Sequence, residues 1–385
     1  MRTKQKRTKA VVSVLVLAGL VVFALTAIGG NLEPSGPPGP TMKTLDEVEP
    51  RIAISSLPYT ISVSGSYYLT GDVQVDPCAP TDGITVEVND VTIDLAGFSL
   101  IGAGGPPFGI YMNARSNVEI RNGTVRNFGH GIYAANNGKE HRIIDVRVVS
   151  NMAQGIWLFG NGYLVKDCTT AENGGAGIRV EDGCTVTGNT VYKNQQNGIN
   201  VGAGCTVTAN TAYGNEGHGI HAGTGCTIIG NTARLNTGNG IDFDGLGTIA
   251  DNTADRNGGH GISVNSGAVV ARNSCSENTL DGIKASSGNH IVGNDCGGNG
   301  FGGDGAGIHV VSLRNVIEGN TVLLNDRGID VDSTRNFIAK NMATMNTTDY
   351  DIVGNNAYGP IVDVASVGDI SGTANADHPW ANFEF

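Results

Sequence analysis

Leucine is scarce in the repeated part of this chain, aromatic residues make up only 6% of the sequence, and charged residues only 16%. Each shortage closes a route. Without a leucine framework a leucine-rich repeat is excluded, and with no apolar residue at every sixth position so is a hexapeptide left-handed helix. Strong helix formers are thin too; the repeats run to Gly, Asn, Thr, Val and Ile, which favours short strands joined by tight turns. Base is also short: 24 Lys and Arg stand against 36 Asp and Glu, a net charge of −12. Such an acidic chain is a poor ligand for nucleic-acid phosphates, so no nucleic-acid partner is expected. A polyanionic sugar would need a cation or a local basic patch. Glycine is plentiful, with 58 residues, but has no Gly-X-Y period, which excludes collagen.

What is present is a repeat. Twelve Gly-Ile dipeptides run from Gly83-Ile84 to Gly328-Ile329, and the six from Gly177-Ile178 to Gly282-Ile283 are spaced 21 residues apart. The other spacings are 26, 22, 24 and 22 before that run, then 25 and 21 after it. A solenoid follows, one continuous unit although the chain has 385 residues. In the repeat Gly198 to His218, Ile199 and Val201 alternate inward around Asn200, and Cys205 and Val207 inward around Thr206. A third strand lies near Ala212. Period-2 alternation is the strand signature. The predicted fold is all-β: a single-stranded right-handed parallel β-helix of about 12 coils of 21–26 residues, with terminal caps.

Two asparagine columns mark the turns, Asn189 to Asn341 and Asn173 to Asn325, and are read as structural ladders whose members tolerate left-handed backbone. Cys184, Cys205 and Cys226 share one repeat position, and Cys275 and Cys296 another. Each set should stack inward at about 4.8 Å with parallel Cβ vectors, which favours buried thiols over disulfides.

Residues 1–30 hold five basic residues, no acid and an apolar run from Ala10 to Ala27, read as a signal peptide or an uncleaved membrane anchor. Removing that leader takes the net charge to −17. Residues 31–50 form a Pro/Gly-rich linker and a short helical cap over 41–49; 51–357 form the β-helix, and 358–385 a C-terminal cap or tail. An extracytoplasmic monomer is expected, meeting a membrane only through an uncleaved leader.

The residue after each Gly-Ile faces outward, so the strands stack it into a column: Thr85, Tyr111, Tyr133, Trp157, Arg179, Asn200, His221, Asp242, Ser263, Lys284, His309, Asp330. Before the glycines runs a second column containing His130, His218, Asn239, His260, Asp281 and Arg327. Most other outward positions are Thr, Ser, Gly or Asn. Tyr111, Tyr133 and Trp157 make an aromatic platform for sugar faces, with Arg179, Asn200, His260 and His309 as further binding groups. His218, His221, Asp242, Asp281 and Lys284 are the candidates for proton transfer. Asp242 and Asp244, about 7 Å apart on one strand, suit a pair of acid–base carboxylates or Ca²⁺, the one cofactor considered. Asp330 and Asp332 repeat that spacing. Four extra residues swell the turn between Asn299 and Gly307, beside Lys284 and His309.

The Gly-Asn-Thr … Asn … Gly-Ile repeats, with Asp94-Leu95-Ala96-Gly97-Phe98 before the regular coils, resemble the parallel β-helix repeats of the pectin-lyase-like superfamily. The nearest resemblance is to uncharacterised exported bacterial proteins and the NosD-like branch, over roughly residues 55 to 360. It implies a fold shared by pectate lyases, polygalacturonases, uronate epimerases and non-catalytic scaffolds, with the cleft outside the Gly-Ile-x-Val sheet. The three Gly-His-Gly triplets at His130, His218 and His260 resemble one polygalacturonase motif, but its Asp-Asp pair and Arg-Ile-Lys are missing. The Asp-Pro-His-Glu motif of alginate epimerases is missing as well. Three functions stay open. One is an exported lyase, hydrolase or epimerase acting on, or a module binding, an extended glycan, uronic-acid polymers included. Another is a non-catalytic envelope or adhesion module, and the third, from the NosD likeness alone, is periplasmic metal delivery.

Overall fold

The regular coils turn three times, with three strands of about three residues each. In the coil after Gly198 these are Ile199–Val201, Thr206–Thr208 and Thr211–Tyr213. Ile199, Val201, Cys205, Val207 and Ala212 are all buried, and the alternating strand residues Asn200 and Thr206 face outward. The computed structural model describes residues 50–385 apart from 79, 106, 301, 302, 304 and 365–368, and apart from the side chain of residue 137. The leader, the linker and the cap helix expected over 41–49 lie outside the described residues, as does part of the swollen turn at 300–306.

The first strands of the coils stack into a parallel sheet of 14, and the second and third strands into one of 28. The larger sheet is two walls fused at a corner. Val118–Arg126 and Arg142–Val149 run through that corner unbroken, and the latter pairs with both strands of the following coil. The fold is therefore the predicted parallel β-helix, with 14 strands on the Gly-Ile wall rather than about 12. The two further coils are Tyr59–Ile61 at the start and Thr348–Ile352 at the end, and neither carries the Gly-Ile marker. No α-helix is present among the described residues, and none of their helices is long and apolar enough to cross a membrane.

The marker glycine has a steric cause. A Cβ on Gly219 would lie 2.6 Å from Nδ2 of Asn236 and 2.7 Å from the carbonyl oxygen of Gly240. That carbonyl accepts the amide of Ile220 at 2.9 Å, so the close approach is part of the coil-to-coil hydrogen bonding. The isoleucine that follows is fully buried in every coil that carries the pair; each burial contributes about 1.5–3 kcal/mol.

Both asparagine columns are ladders. Asn231 donates through Nδ2 to Oδ1 of Asn252 at 3.0 Å and to the carbonyl of Val207 at 2.9 Å, while its own Oδ1 accepts from Nδ2 of Asn210 at 3.0 Å. The second column repeats the pattern and extends upward to Asn151. The first ends on Asn382, which receives Nδ2 of Asn341 at 3.1 Å and so ties the C-terminal strand Asn382–Glu384 to the last coils. One expectation is corrected. The ladder asparagines are not left-handed; the residue before each one is, as at Ala209 (φ 55°), Asp251 (57°) and Arg272 (53°). The preceding residue turns the chain, which lets the asparagine aim its amide along the axis.

A third ladder went unread in the sequence. Asn289, Asn315, Asn336 and Asn356 link through Oδ1 to the backbone amides of their neighbours at 2.8 Å. Earlier coils fill this position with Tyr163, Cys184, Cys205, Cys226, Gly247 and Ala268. The cysteines do form an inward stack: the amide of Cys184 lies 3.3 Å from Sγ of Cys205, and that of Cys205 3.3 Å from Sγ of Cys226. All six cysteines from Cys168 onward are buried free thiols, and burial pushes the thiol of Cys168 up to about 12.

Candidate functional site

Strand register places every residue after a Gly-Ile beside its counterpart. Tyr111 pairs with Tyr133, Tyr133 with Trp157, Trp157 with Arg179, and the series runs on through Asn200, His221, Asp242, Ser263, Lys284 and His309 to Asp330. Thr60 precedes the column and Asp351 follows it. These side chains share one outer wall, which divides along the axis into three parts.

The aromatic part is larger than Tyr111, Tyr133 and Trp157. Phe108 stacks on Tyr111 and Tyr133 with ring centroids 4.9 and 4.6 Å apart, and Phe159 packs against Trp157 at 4.7 Å. Phe108 lies in the column before the glycines and Phe159 two residues beyond Trp157, positions the period-2 pattern assigns to this same face. The guanidinium of Arg179 lies 4.9 Å over the ring of Trp157, a cation–π contact. Much of each ring face is thus engaged with a neighbour. His130, tilted against Trp157 at 5.4 Å, is kept below the usual histidine range by burial.

The middle part is a histidine–carboxylate pair. His221 Nδ1 lies 3.0 Å from Oδ2 of Asp242, and Asn239 donates to the other Asp242 oxygen at 2.9 Å. A carboxylate facing Nδ1 makes that nitrogen the protonated one, so the neutral ring keeps its lone pair on Nε2. The hydrogen bond to Asp242 raises His221 above its ordinary value, against the opposing effect of burial. Burial alone would raise Asp242, but His221, His218 and Asn239 hold it below the carboxylate range. His218 differs. Its Nδ1 accepts the amide of Asn239 at 2.9 Å, so its neutral ring carries the proton on Nε2, and burial lowers its pKa. Asp244, on the same strand, receives a long bond of 3.4 Å from Asn265.

The third part crosses both columns. Asp281, with a side chain only 5% exposed, accepts the amide of Ala306 at 2.8 Å and lies 3.1 Å from Nδ1 of both His260 and His309. His260 Nδ1 also lies 3.2 Å from the amide of Asp281, so it donates to the carboxylate or accepts from that amide, not both. The other face of His309 meets Asp332 at 3.0 Å and Asp330 at 3.9 Å, and Arg327 binds Asp330 at 3.1 Å. Burial alone would raise Asp281, but its three donors hold it far below the carboxylate range. Burial alone would lower His309, but the carboxylates on both sides bring it to about 9. Lys284 stands between Ser263 and His309 and has no ion-pair partner among the described residues.

The structure thus brings together His218, His221 and Asp242, and separately His260, Asp281 and His309, with Lys284 beside the second group. Asn200 holds the position between Arg179 and His221. A further role went unread. Asn197, His218, Asn239 and Asp281 each accept a backbone amide of the next coil, forming a capping ladder along the edge of the wall, and His260 Nδ1 faces the amide of Asp281 at 3.2 Å in the same position. A regular run of Asn, His and Asp before the glycine was its only trace in the sequence.

Stacked parallel coils with asparagine ladders define the class of parallel β-helix proteins. Two overlapping stretches, residues 108–245 and 203–363, match the family described as the right handed beta helix region, and the chain belongs to it. No curated protein matches the chain. Among solved structures, a point mutant of the periplasmic alginate epimerase AlgG is similar over 69% of this chain and 75% of that one, at 16% identity and a TM-score of 0.53. The A-module of the Azotobacter vinelandii mannuronan C-5 epimerase AlgE4 is similar over 80% of this chain and 89% of that one, at 12% identity and a TM-score of 0.47. The Dettilon tailspike protein is similar over 83% and 61%, at 15% identity and a TM-score of 0.38. At these identities the likeness is one of fold.

Proposed function

We propose that this is an exported β-helix protein that binds an extended, uronic-acid-type polysaccharide along the outer face of the Gly-Ile wall and processes it at His221. One observation carries this reading: the stacked aromatic rings and both histidine–carboxylate groups fall on a single wall. The epimerase fold of the similar AlgG structure and the basic, apolar leader support the substrate class and the export.

The geometry supports the following roles. Lyases and epimerases of uronates remove the ring proton next to the carboxylate, which requires a base and a positive charge near that carboxylate. His221 is the base, because Asp242 holds its Nδ1–H and leaves Nε2 with the lone pair. Asp242 orients it and makes it more basic. His218, protonated on Nε2, donates a hydrogen bond to the sugar. Lys284 and Arg179 neutralise sugar carboxylates, and Tyr111, Tyr133 and Trp157 support the rings with Asn200 beside them. A Ca²⁺ on Asp242 and Asp244 would share Asp242 oxygens that already accept from His221 and Asn239.

One observation favours a non-catalytic envelope module instead: His218 and Asp281 are already used to cap backbone amides. Product analysis on a panel of polysaccharides, with and without Ca²⁺, separates the two. Turnover lost in Asp242→Asn with binding kept supports the enzyme. Binding without turnover, lost in Trp157→Ala, supports the module. Neither binding nor turnover overturns both.

A further inference from the structure

His309 lies at the centre of a set of groups that all ask for a proton or a cation. Its Nδ1 faces the buried Asp281 carboxylate at 3.1 Å. Its Nε2 faces Asp332 at 3.0 Å and Asp330 at 3.9 Å, and one donor atom from each of His309, Asp330 and Asp332 falls within 4.8 Å of the others. Asp281 holds the proton on Nδ1, so Nε2 is the atom turned toward the two other carboxylates, with Arg327 serving Asp330 from the side. A divalent cation would take the place of the second proton that those carboxylates otherwise draw onto Nε2.

We infer that His309 Nε2, Asp330 and Asp332 form a binding site for a divalent transition metal, with Asp281 as the buried carboxylate that fixes the histidine tautomer. Three features shape it. One nitrogen on a strand and two oxygens at the end of its neighbour, Asp330 on the strand and Asp332 just past it, match the three protein ligands of open metal sites, which leave further positions for water or a ligand. A carboxylate behind the ligating histidine is the usual outer partner of such sites. Its charge also fits: Asp281, Asp330, Asp332 and Asp351 gather around Arg327, His260, His309 and the neighbouring Lys284, and carboxylates outnumber the permanently charged bases. Imidazole in the donor set favours Zn²⁺ or Mn²⁺ over Ca²⁺, which takes oxygen ligands. This site is distinct from the Asp242–Asp244 pair, which lacks an outward imidazole nitrogen between its carboxylates.

The test is calorimetric titration of the full chain, stripped of metal with a chelator, against Zn²⁺, Mn²⁺ and Ca²⁺. The expected result is one equivalent of Zn²⁺ or Mn²⁺ bound more tightly than Ca²⁺. Asp332 is exposed, so Asp332→Asn should fold normally and weaken binding at least about tenfold. Asp244→Asn should leave it unchanged. No metal binding, binding that Asp332→Asn does not alter, or a preference for Ca²⁺ overturns the site. Because the readout is the metal itself, the outcome does not depend on whether any glycan is turned over.

Discussion

The asparagine corners and the outer face of the Gly-Ile wall are built from the same repeats, yet one is uniform and the other changes at every coil. At the corner each amide donates to the next, so Asn231, Asn252 and Asn273 must be alike. On the outer face, register fixes only the position: Trp157, Arg179, Asn200, His221 and Asp242 stand side by side with no shared chemistry. Where the coil geometry does not dictate the residue, its choice is free for function. That contrast locates the candidate site.

The sharpest way to break the comparison is to exchange the same residue type in the two regions. Asn252→Ala removes bonds to Asn273 and Ile228 and leaves the backbone N–H and one side-chain N–H of Asn231 without their acceptor. Unmet buried polar groups of that kind should cost on the order of 3 kcal/mol, read as a lower urea midpoint. A smaller effect is expected at the His221–Asp242 pair. The raised pKa of His221 makes its contribution full below its ordinary 6.5 and lost as pH rises through the folded value. The lowered pKa of Asp242 makes its contribution full above 3.8 and lost at lower pH. The stability gap between wild type and Asp242→Asn should therefore peak between those values and shrink on either side. With both side chains over a quarter exposed, it should stay within about 1 kcal/mol, followed by urea unfolding across pH. Least of all, Asn200→Ala on the outer column should shift stability by no more than about 0.5 kcal/mol.

The repeat made the coil, its register and both long ladders legible, because a 21-residue period is written in single letters such as Gly240, Asn252 and Ile262. It failed where letters change while geometry does not. The position of the third ladder is held by Cys226, Gly247 and Ala268 before Asn289, residues that share a place but no chemistry. The outermost coils at Tyr59–Ile61 and Thr348–Ile352 carry no marker glycine. The grouping of Asp281 with His309 and Asp332 joins two columns across a lengthened turn, so no single spacing announces it. The capping bond of His218 depends on ring orientation, which a sequence does not carry.

The most direct test of a functional outer wall compares aromatic residues on two different walls. Trp157 lies in the Gly-Ile column, whereas Tyr213 stacks on Tyr192 along the third strands. Titrating a uronic-acid oligosaccharide into each variant should show Trp157→Ala binding about tenfold more weakly and Tyr213→Ala binding as wild type does. Weakening in Tyr213→Ala with full binding in Trp157→Ala would contradict it.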